Sequence, residues 1–499
     1  MVLMGREYTP RFPTRSLHRV AARAVRYTPG MRTMPPLVLA AMLCGTAGLA
    51  GAGPDVDFLG GPPTYVSIGR DALDAALAVA EDDGQPLRLL DLDADVAVIE
   101  IREGEIGALA RAVHKLHGRC GGFMVHDSYA DARAAIPVHA DPDHAGPVHA
   151  ALARPALDYA LDRPAQVRAV LPVLDAARIR DAIRELSAMR SRHYRSRTGA
   201  AASEWLRDRW RQLTERPDVT VELVDHGYPQ KSVIMTIPGT TRRDEVVVIG
   251  GHLDSITFDG TVRAPGADDD ASGIATVTEV ARALLASGYH PERTIQFMAY
   301  AAEEVGLRGS QLIVRDYKQR GVHVVGALQL DMTNYQGSDR DIWLMKDFTS
   351  APQNAFLIAL LDTYVGATWG LDVCGYACSD HASWYRAGVP ASMPFESRMR
   401  DHNMKIHTDL DTLETSDASA AHALKFARLA AAYAIELGKG EVAGPDPVPA
   451  APVGAAASGT AAAGDGPASG APGHPGAAAC IALFVAGLWL ARAIAARVG

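Results

Sequence analysis

The sequence predicts an α/β protein: a doubly wound, mostly parallel central sheet flanked by helices, preceded by a small α+β unit. Three observations lead there. Between residues 161 and 440, strand-like and helix-like stretches alternate, as a parallel sheet with helical crossovers requires. The strand-like stretches are near-continuous apolar runs, the pattern of strands buried on both faces. The acids and histidines of this region gather at the ends of those runs, where open α/β sheets bind their ligands.

Along the chain, residues 1–34 carry seven arginines and one acid, and Pro35 to Ala52 then carries no charge. A basic flank, a short apolar stretch and Ala50-Gly51-Ala52 read as a signal peptide over residues 1–52. Met31 is the more typical start, which would place 1–30 outside the protein. Residues 55–145 alternate apolar strands (Leu87–Leu92, Val96–Ile101) with helical patterns (Ala72–Ala80, Glu105–Leu116), a small unit of its own. Residues 146–160, rich in His, Pro, Asp and Ala, read as an exposed connector.

Within 161–440, strands are expected at Val246–Gly250, Thr294–Tyr300 and Val324–Leu330, and helices at Ala271–Ala286, Ser310–Arg320 and Ala355–Tyr364. After Gly440 the composition turns to Ala, Gly, Pro and Ser, so 441–476 is expected to be a flexible linker. Residues 477–499 are apolar with trailing arginines, a segment suited to membrane or envelope association with its basic end inside.

Composition narrows the function. An apolar fraction of 48% with 21% charged residues suits a globular chain that buries a core. A net charge of −9 sets aside a nucleic-acid binder, which needs a basic face. Export would place the five cysteines in an oxidising compartment. Of these, Cys374 and Cys378 stand four apart around Gly375-Tyr376-Ala377, a spacing compatible with a tight local disulfide. Sequence alone leaves the connectivity open.

Five clusters carry the chemistry. Gly250-Gly-His252-Leu-Asp254 leaves a strand with a histidine whose ring a carboxylate can orient, although a lone strand-end histidine is commonly structural. Asp268-Asp269-Asp270 precedes a long helix. One acid would cap it, whereas three in a Gly-bounded turn repel unless a cation sits among them. Glu303-Glu304 follows a strand end, where one carboxylate can bind metal and the other accept a proton. Asp331 closes an apolar run and is costly to bury unless it coordinates or pairs. His407 lies in Ile406-His407-Thr408. Together they offer imidazole and carboxylate donors for two sites sharing one acid, a set suited to zinc, with cobalt or manganese as substitutes. Two such metals, about 3.5–4 Å apart, activate water for hydrolysis.

These motifs (Gly251–Asp254, Gly266–Gly273, Tyr300–Gly306, Leu330–Asn334, Cys374–Trp384 and Ile406–Thr408) closely resemble the secreted leucyl aminopeptidases of bacteria. Those are co-catalytic zinc exopeptidases related to transferrin receptor and glutaminyl cyclases, and the likeness spans most of 161–440. The resemblance implies the zinc exopeptidase fold and two Zn2+ ions, with Asp269 bridging, His252 and Asp331 completing one site, and Glu304 and His407 the other. Choosing Asp269 over its two neighbours rests on the family pattern. It also implies Glu303 as general base, Asp254 as the partner of His252, and a Cys374–Cys378 disulfide beside the specificity pocket. Met332, Tyr376, Met393, Phe395 and Ile406 match that apolar pocket. Met399 and His402 stand where close relatives carry aromatics, so the pocket would be more pliable and its rim more polar.

Residues 55–145, especially His117–Met124, resemble the family's propeptide. The implied protein is a monomeric, exported aminopeptidase taking peptides with a free N-terminus and a large apolar first residue. The rivals are a carboxypeptidase or glutaminyl cyclase on the same scaffold, or a non-catalytic receptor-like domain.

Overall fold

The computed structural model describes residues 61–93, 96–134, 159–258 and 263–443. The signal segment, most of the connector, the linker after residue 443 and the apolar C-terminal segment lie outside them.

The N-terminal module runs β1 (Pro63–Gly69), α1 (Leu73–Asp82), β2 (Arg88–Leu92), β3 (Val96–Arg102), α2 (Ile106–His117), β4 (Phe123–His126) and α3 (Tyr129–Ala134). Its strands form one antiparallel sheet in the order β2-β3-β1-β4. Alternation along β3 builds two faces. Ala97, Ile99 and Ile101 pack with α1 and α2, whereas Val96 and Val98 meet Ala132 of α3. The first of these cores continues into the rest of the chain through Ala302 and Val305. The module is therefore packed onto the larger domain by shared apolar burial.

That domain begins with α4 (Pro164–Val170), α5 (Ala176–Ser187) and α6 (Arg197–Arg211), followed by β5 (Thr220–Val224), β6 (Ser232–Ile237) and β7 (Arg242–His252). Then come α7 (Ala271–Ala286), β8 (Tyr289–His290), β9 (Arg293–Tyr300), α8 (Arg308–Arg320) and β10 (His323–Gln329). The last part holds β11 (Ile342–Met345), α9 (Ala351–Leu360), β12 (Trp369–Asp372), α10 (His381–Arg386), β13 (Ala391–Ser392), β14 (Pro394–Phe395), α11 (Ala421–Gly438) and β15 (Glu441–Val442).

The central sheet has the order β13-β10-β7-β9-β6-β5, parallel from β13 to β9 and antiparallel at β6 and β5. Val247 and Ile249 of β7 face a core shared with α5, α6, α7 and α11. Val246 and Val248 face the opposite core with α8 and α10. Helices on both faces explain the uninterrupted apolar strands, and the sheet is doubly wound and mostly parallel as predicted. Two details differ from expectation. The apolar run at 324–330 leaves the sheet at Gln329, so Asp331 stands two residues beyond the strand. The helix expected at Ala355 begins a turn earlier, at Ala351 with Pro352 in its first turn.

Candidate metal centre

The centre sits at the carboxyl ends of β7, β9 and β10. Strands β7 and β9 are paired in parallel to the last residue, His252 opposite Tyr300, and Leu253 N–H donates to the Tyr300 carbonyl at 2.7 Å. This register brings His252 beside the turn holding Glu303 and Glu304. The β7–α7 connection carries Asp268, Asp269 and Asp270, and Asp270 caps α7 by accepting Gly273 N–H at 2.8 Å. At Gly273 a Cβ would lie 2.1 Å from the Leu330 carbonyl oxygen. Glycine is therefore required for α7 to approach the Asp331 turn this closely.

The three consecutive acids have three different occupations. Asp268 accepts Asn334 N–H at 3.2 Å and Asn403 Nδ2 at 3.0 Å. Besides capping α7, Asp270 accepts His252 N–H at 2.9 Å and Met332 N–H at 3.2 Å. Asp269 alone of the three reaches both histidines: Oδ1 lies 2.9 Å from His252 Nε2 and Oδ2 3.1 Å from His407 Nε2. Asp331 Oδ1 is 3.6 Å from His252 Nε2, and Glu304 Oε2 is 2.8 Å from His407 Nε2. Two donor groups result: His252, Asp269 and Asp331 on one side, and His407, Asp269, Glu304 and Cys120 on the other.

Asp254 lies behind them, fully buried. Its Oδ1 accepts Glu303 N–H at 3.0 Å, its Oδ2 accepts Glu304 N–H at 3.2 Å, and Oδ1 also stands 3.6 Å from His252 Nδ1. Ser379 Oγ donates to Asp331 Oδ2 at 2.5 Å and receives Gln329 Nε2 at 3.0 Å. Asp411 accepts the backbone N–H groups of Asp268 and Asp269, each at 3.1 Å, fixing the acidic turn.

Electrostatics follow from burial. Burial would raise the Asp269 pKa, but hydrogen bonds from His252 and His407 outweigh it and hold the carboxyl well below its usual range. Burial and the neighbouring Asp269 charge push Glu304 up to about 7, and burial lifts Glu303 well above the ordinary carboxylate value. For His252, burial disfavours charge, yet Asp331 and Glu303 outweigh it and raise its pKa. The acids thus call for positive charge beyond what two imidazoles supply. Both Glu304 oxygens are buried, and the His407 ring, 2.8 Å from Oε2, is the one polar side chain against them among the described residues. Buried carboxylate oxygens beside imidazole nitrogens are a donor set that fits zinc.

An apolar pocket opens beside this cluster. Met332, Tyr376, Met393, Phe395 and Ile406 are at most 3% exposed and, with Met399 and His402, line it together. Cys374 and Cys378 form a disulfide in its wall. No Lys or Arg lines this pocket among the described residues.

Reading the sequence by strand ends missed Cys120, His114, Ser379 and Asp411. Cys120, a cysteine in a Gly-rich loop, and Asp411, an acid four residues after His407, carry a signal in the sequence. The His114 ring stacks on His407 with centroids 4.9 Å apart, and nothing in a helical pattern announces that contact.

Comparison with known proteins follows this geometry. Residues 232–433 match the model of peptidase family M28. The chain is 36% identical over 286 residues to Leucine aminopeptidase 1 of Uncinocarpus reesii, covering 54% of this chain and 71% of that one. The same-named protein of Coccidioides posadasii is also 36% identical, over 55% and 74% of the two chains. Among solved structures, the LapA aminopeptidase of Legionella pneumophila aligns with TM-score 0.64 and 28% identity over 76% of this chain and 99% of its own. LapB of the same organism gives 0.63 and 29%, over 76% and 100%. Fold, relatives and the matched segment, which runs from β6 into α11 and contains His252, Asp269, Glu303, Glu304, Asp331 and His407, agree that this chain belongs to peptidase family M28.

Proposed function

We propose that the chain is an exported, two-zinc aminopeptidase that removes large apolar residues such as leucine from peptide N-termini. The observation carrying this reading is Asp269, whose two oxygens address His252 and His407 while Asp331 and Glu304 flank the pair. His252, Asp269 and Asp331 would hold one zinc, and Asp269, Glu304 and His407 the other. When bound, such a pair supplies Lewis acidity at the scissile carbonyl and a water of lowered pKa.

The rest falls to side chains. Asp254 holds the Glu303 backbone and orients the His252 ring from behind. Glu303, set apart from the two donor groups and raised in pKa by burial, takes the proton of the attacking water and delivers it to the leaving amine. The first side chain of the peptide enters the pocket of Met332, Tyr376, Met393, Phe395 and Ile406. The methionines make that pocket adaptable, and buried His402, its pKa lowered mainly by burial, is neutral there. Lys and Arg are absent from the lining of this pocket among the described residues, while Arg398 and Arg400 stand in the adjoining cavity that shares Tyr376, Met399 and His402 with it, so blocked and free peptide amines decide between aminopeptidase and carboxypeptidase.

Residues 55–145 act as a propeptide. Glu103 pairs with both Arg195 and Arg308, and His114 of α2 and Cys120 just beyond it lie against His407, so the module has to leave before a peptide enters. Cleavage in the connector 146–160 would free it. The test is hydrolysis of leucine p-nitroanilide and its N-acetylated form by the processed chain, with chelator and then added zinc. Zinc-restored turnover of the free-amine substrate alone supports the reading. Turnover of the acetylated substrate, or full activity in chelator, overturns it.

A further inference from the structure

The N-terminal module does more than cover the cleft. Helix α2 ends at Gly118, whose left-handed φ of 64° turns the chain inward toward the metal centre. Arg119 then lays its guanidinium over the Tyr376 ring, 4.1 Å from the centroid. On the other side of Cys120, Gly122 has φ 63°, and a Cβ there would lie 2.9 Å from Tyr376 Cδ2. Tyr376 is thus gripped from both sides of one cysteine, by Arg119 before it and Gly122 two residues after it. That cysteine, Cys120, points its sulfur at the centre: Sγ is 3.6 Å from His407 Nε2 and 3.8 Å from Asp269 Oδ2.

Those four donors, Cys120 Sγ, His407 nitrogen, and one oxygen each of Asp269 and Glu304, all lie within 4.8 Å of one another. Four donors of mixed S, N and O type match a closed tetrahedral zinc site, whereas three with an open position match a catalytic one. The other group, His252, Asp269 and Asp331, has no sulfur.

We propose that Cys120 is a removable fourth protein ligand to the metal held by Asp269, Glu304 and His407, and that its thiolate keeps that site closed until the module departs. This rests on the two-metal reading above. On ligation the thiol gives its proton to solvent; when the module leaves, sulfur departs as thiolate, regains a proton, and water or the substrate amine takes its place. The same residue lines the apolar pocket, so one side chain stands both beside the metal donors and in the wall of the site for the first substrate side chain.

X-ray absorption at the zinc edge tests this on the full chain loaded with zinc, alongside metal stoichiometry. Expected is a sulfur shell at about 2.3 Å in addition to nitrogen and oxygen at about 2.0–2.2 Å. It should disappear in Cys120→Ser and in wild-type chain from which the module has been cleaved, while both still bind two metals. Cobalt loading should add a thiolate charge-transfer band in the near ultraviolet with the same dependence. Two metals bound with only nitrogen and oxygen neighbours in the wild-type full chain overturns the inference and leaves the two-metal reading standing. Sulfur that persists in Cys120→Ser belongs to another cysteine and also overturns it. Failure of the wild-type chain to bind metal overturns both. Cleaved wild-type chain serves as the comparison should Cys120→Ser not fold.

Discussion

Asp254→Asn should weaken catalysis and folding together, for one reason. The buried Asp254 carboxylate accepts two backbone N–H groups, Glu303 at 3.0 Å and Glu304 at 3.2 Å, one on each oxygen. Asparagine keeps the shape but replaces one oxygen with an NH2 group, so a donor faces a donor. One charge-assisted hydrogen bond, worth about 1.5–3 kcal/mol, is lost, and a buried N–H is left unpaired at about 1–3 kcal/mol. These overlap, so the expected destabilisation is about 2–4 kcal/mol, a large share of a typical domain's stability. The turn carrying Glu303 is the part released, and small misplacements of a reacting group cost on the order of 100-fold in rate. Urea unfolding of the processed chain reads the first quantity, and kcat on leucine p-nitroanilide with metal content measured in parallel reads the second. Wild-type kcat in a variant destabilised as expected would refute the claim that Asp254 positions Glu303. Unchanged stability would refute the hydrogen-bond assignment itself.

Glu303→Ala should keep both metals while kcat falls by about 100- to 10,000-fold, the range for a lost proton-transfer group; metal analysis beside kinetics decides, and unchanged turnover ends the assignment. The same variant of the precursor stays uncleaved only if maturation is autocatalytic, which a gel of the expressed chain reveals. His381 and His422 are buried with pKa values lowered by burial from 6.5 to about 4, so both bind protons more readily when unfolded. Nothing is lost above pH 6.5, and stability should fall between pH 6.5 and 4 by on the order of 3 kcal/mol per group. Buried carboxyls with raised pKa, such as Glu304, act with the opposite sign, so the check is the difference in urea-unfolding free energy between wild type and His422→Gln; a difference that stays constant across that window would contradict this. Replacing Cys374 and Cys378 together by Ala opens a loop of sequence separation 4 and should cost about 2 kcal/mol by loop entropy. It should also raise KM for leucine substrates more than it lowers kcat, because Tyr376 lies within that loop.

The central strands and α7 were legible because burial on both faces writes uninterrupted Val, Ile and Leu, and because a ligand crevice writes acids at strand ends. The division of labour among Asp268, Asp269 and Asp270 was not legible. All three are buried at a helix start, and what separates them is the partners they meet: Asn334 and Asn403, then the two histidines, then Gly273 and Met332. Apart from Gly273, three residues on, those partners come from other segments of the chain. In the N-terminal module, β2, β3, α1 and α2 were readable from periodicity. Strands β1 and β4 were not, being short or lacking an apolar run, and they are defined by pairing with each other and with β3. Cys120 was visible in its motif, but its direction depends on how Gly118 and Gly122 turn the loop and on Tyr376 from the far side of the chain.

The start of the larger domain is stitched to its last helix. Glu436, buried in α11, accepts the backbone N–H groups of Asp162 and Arg163 at 2.9 and 3.0 Å. Lys439 reaches the Ala160 carbonyl at 2.8 Å and Asp162 Oδ1 at 2.6 Å, and Tyr159 stacks on Phe356. If the connector is cut as proposed above, the new amino terminus is itself a substrate for aminopeptidases, further copies of this chain included. Trimming can proceed only to this seam, where each further residue would have to be pulled out of a buried carboxylate's grip. A chain processed in that way would carry its own defence against being eaten from the front.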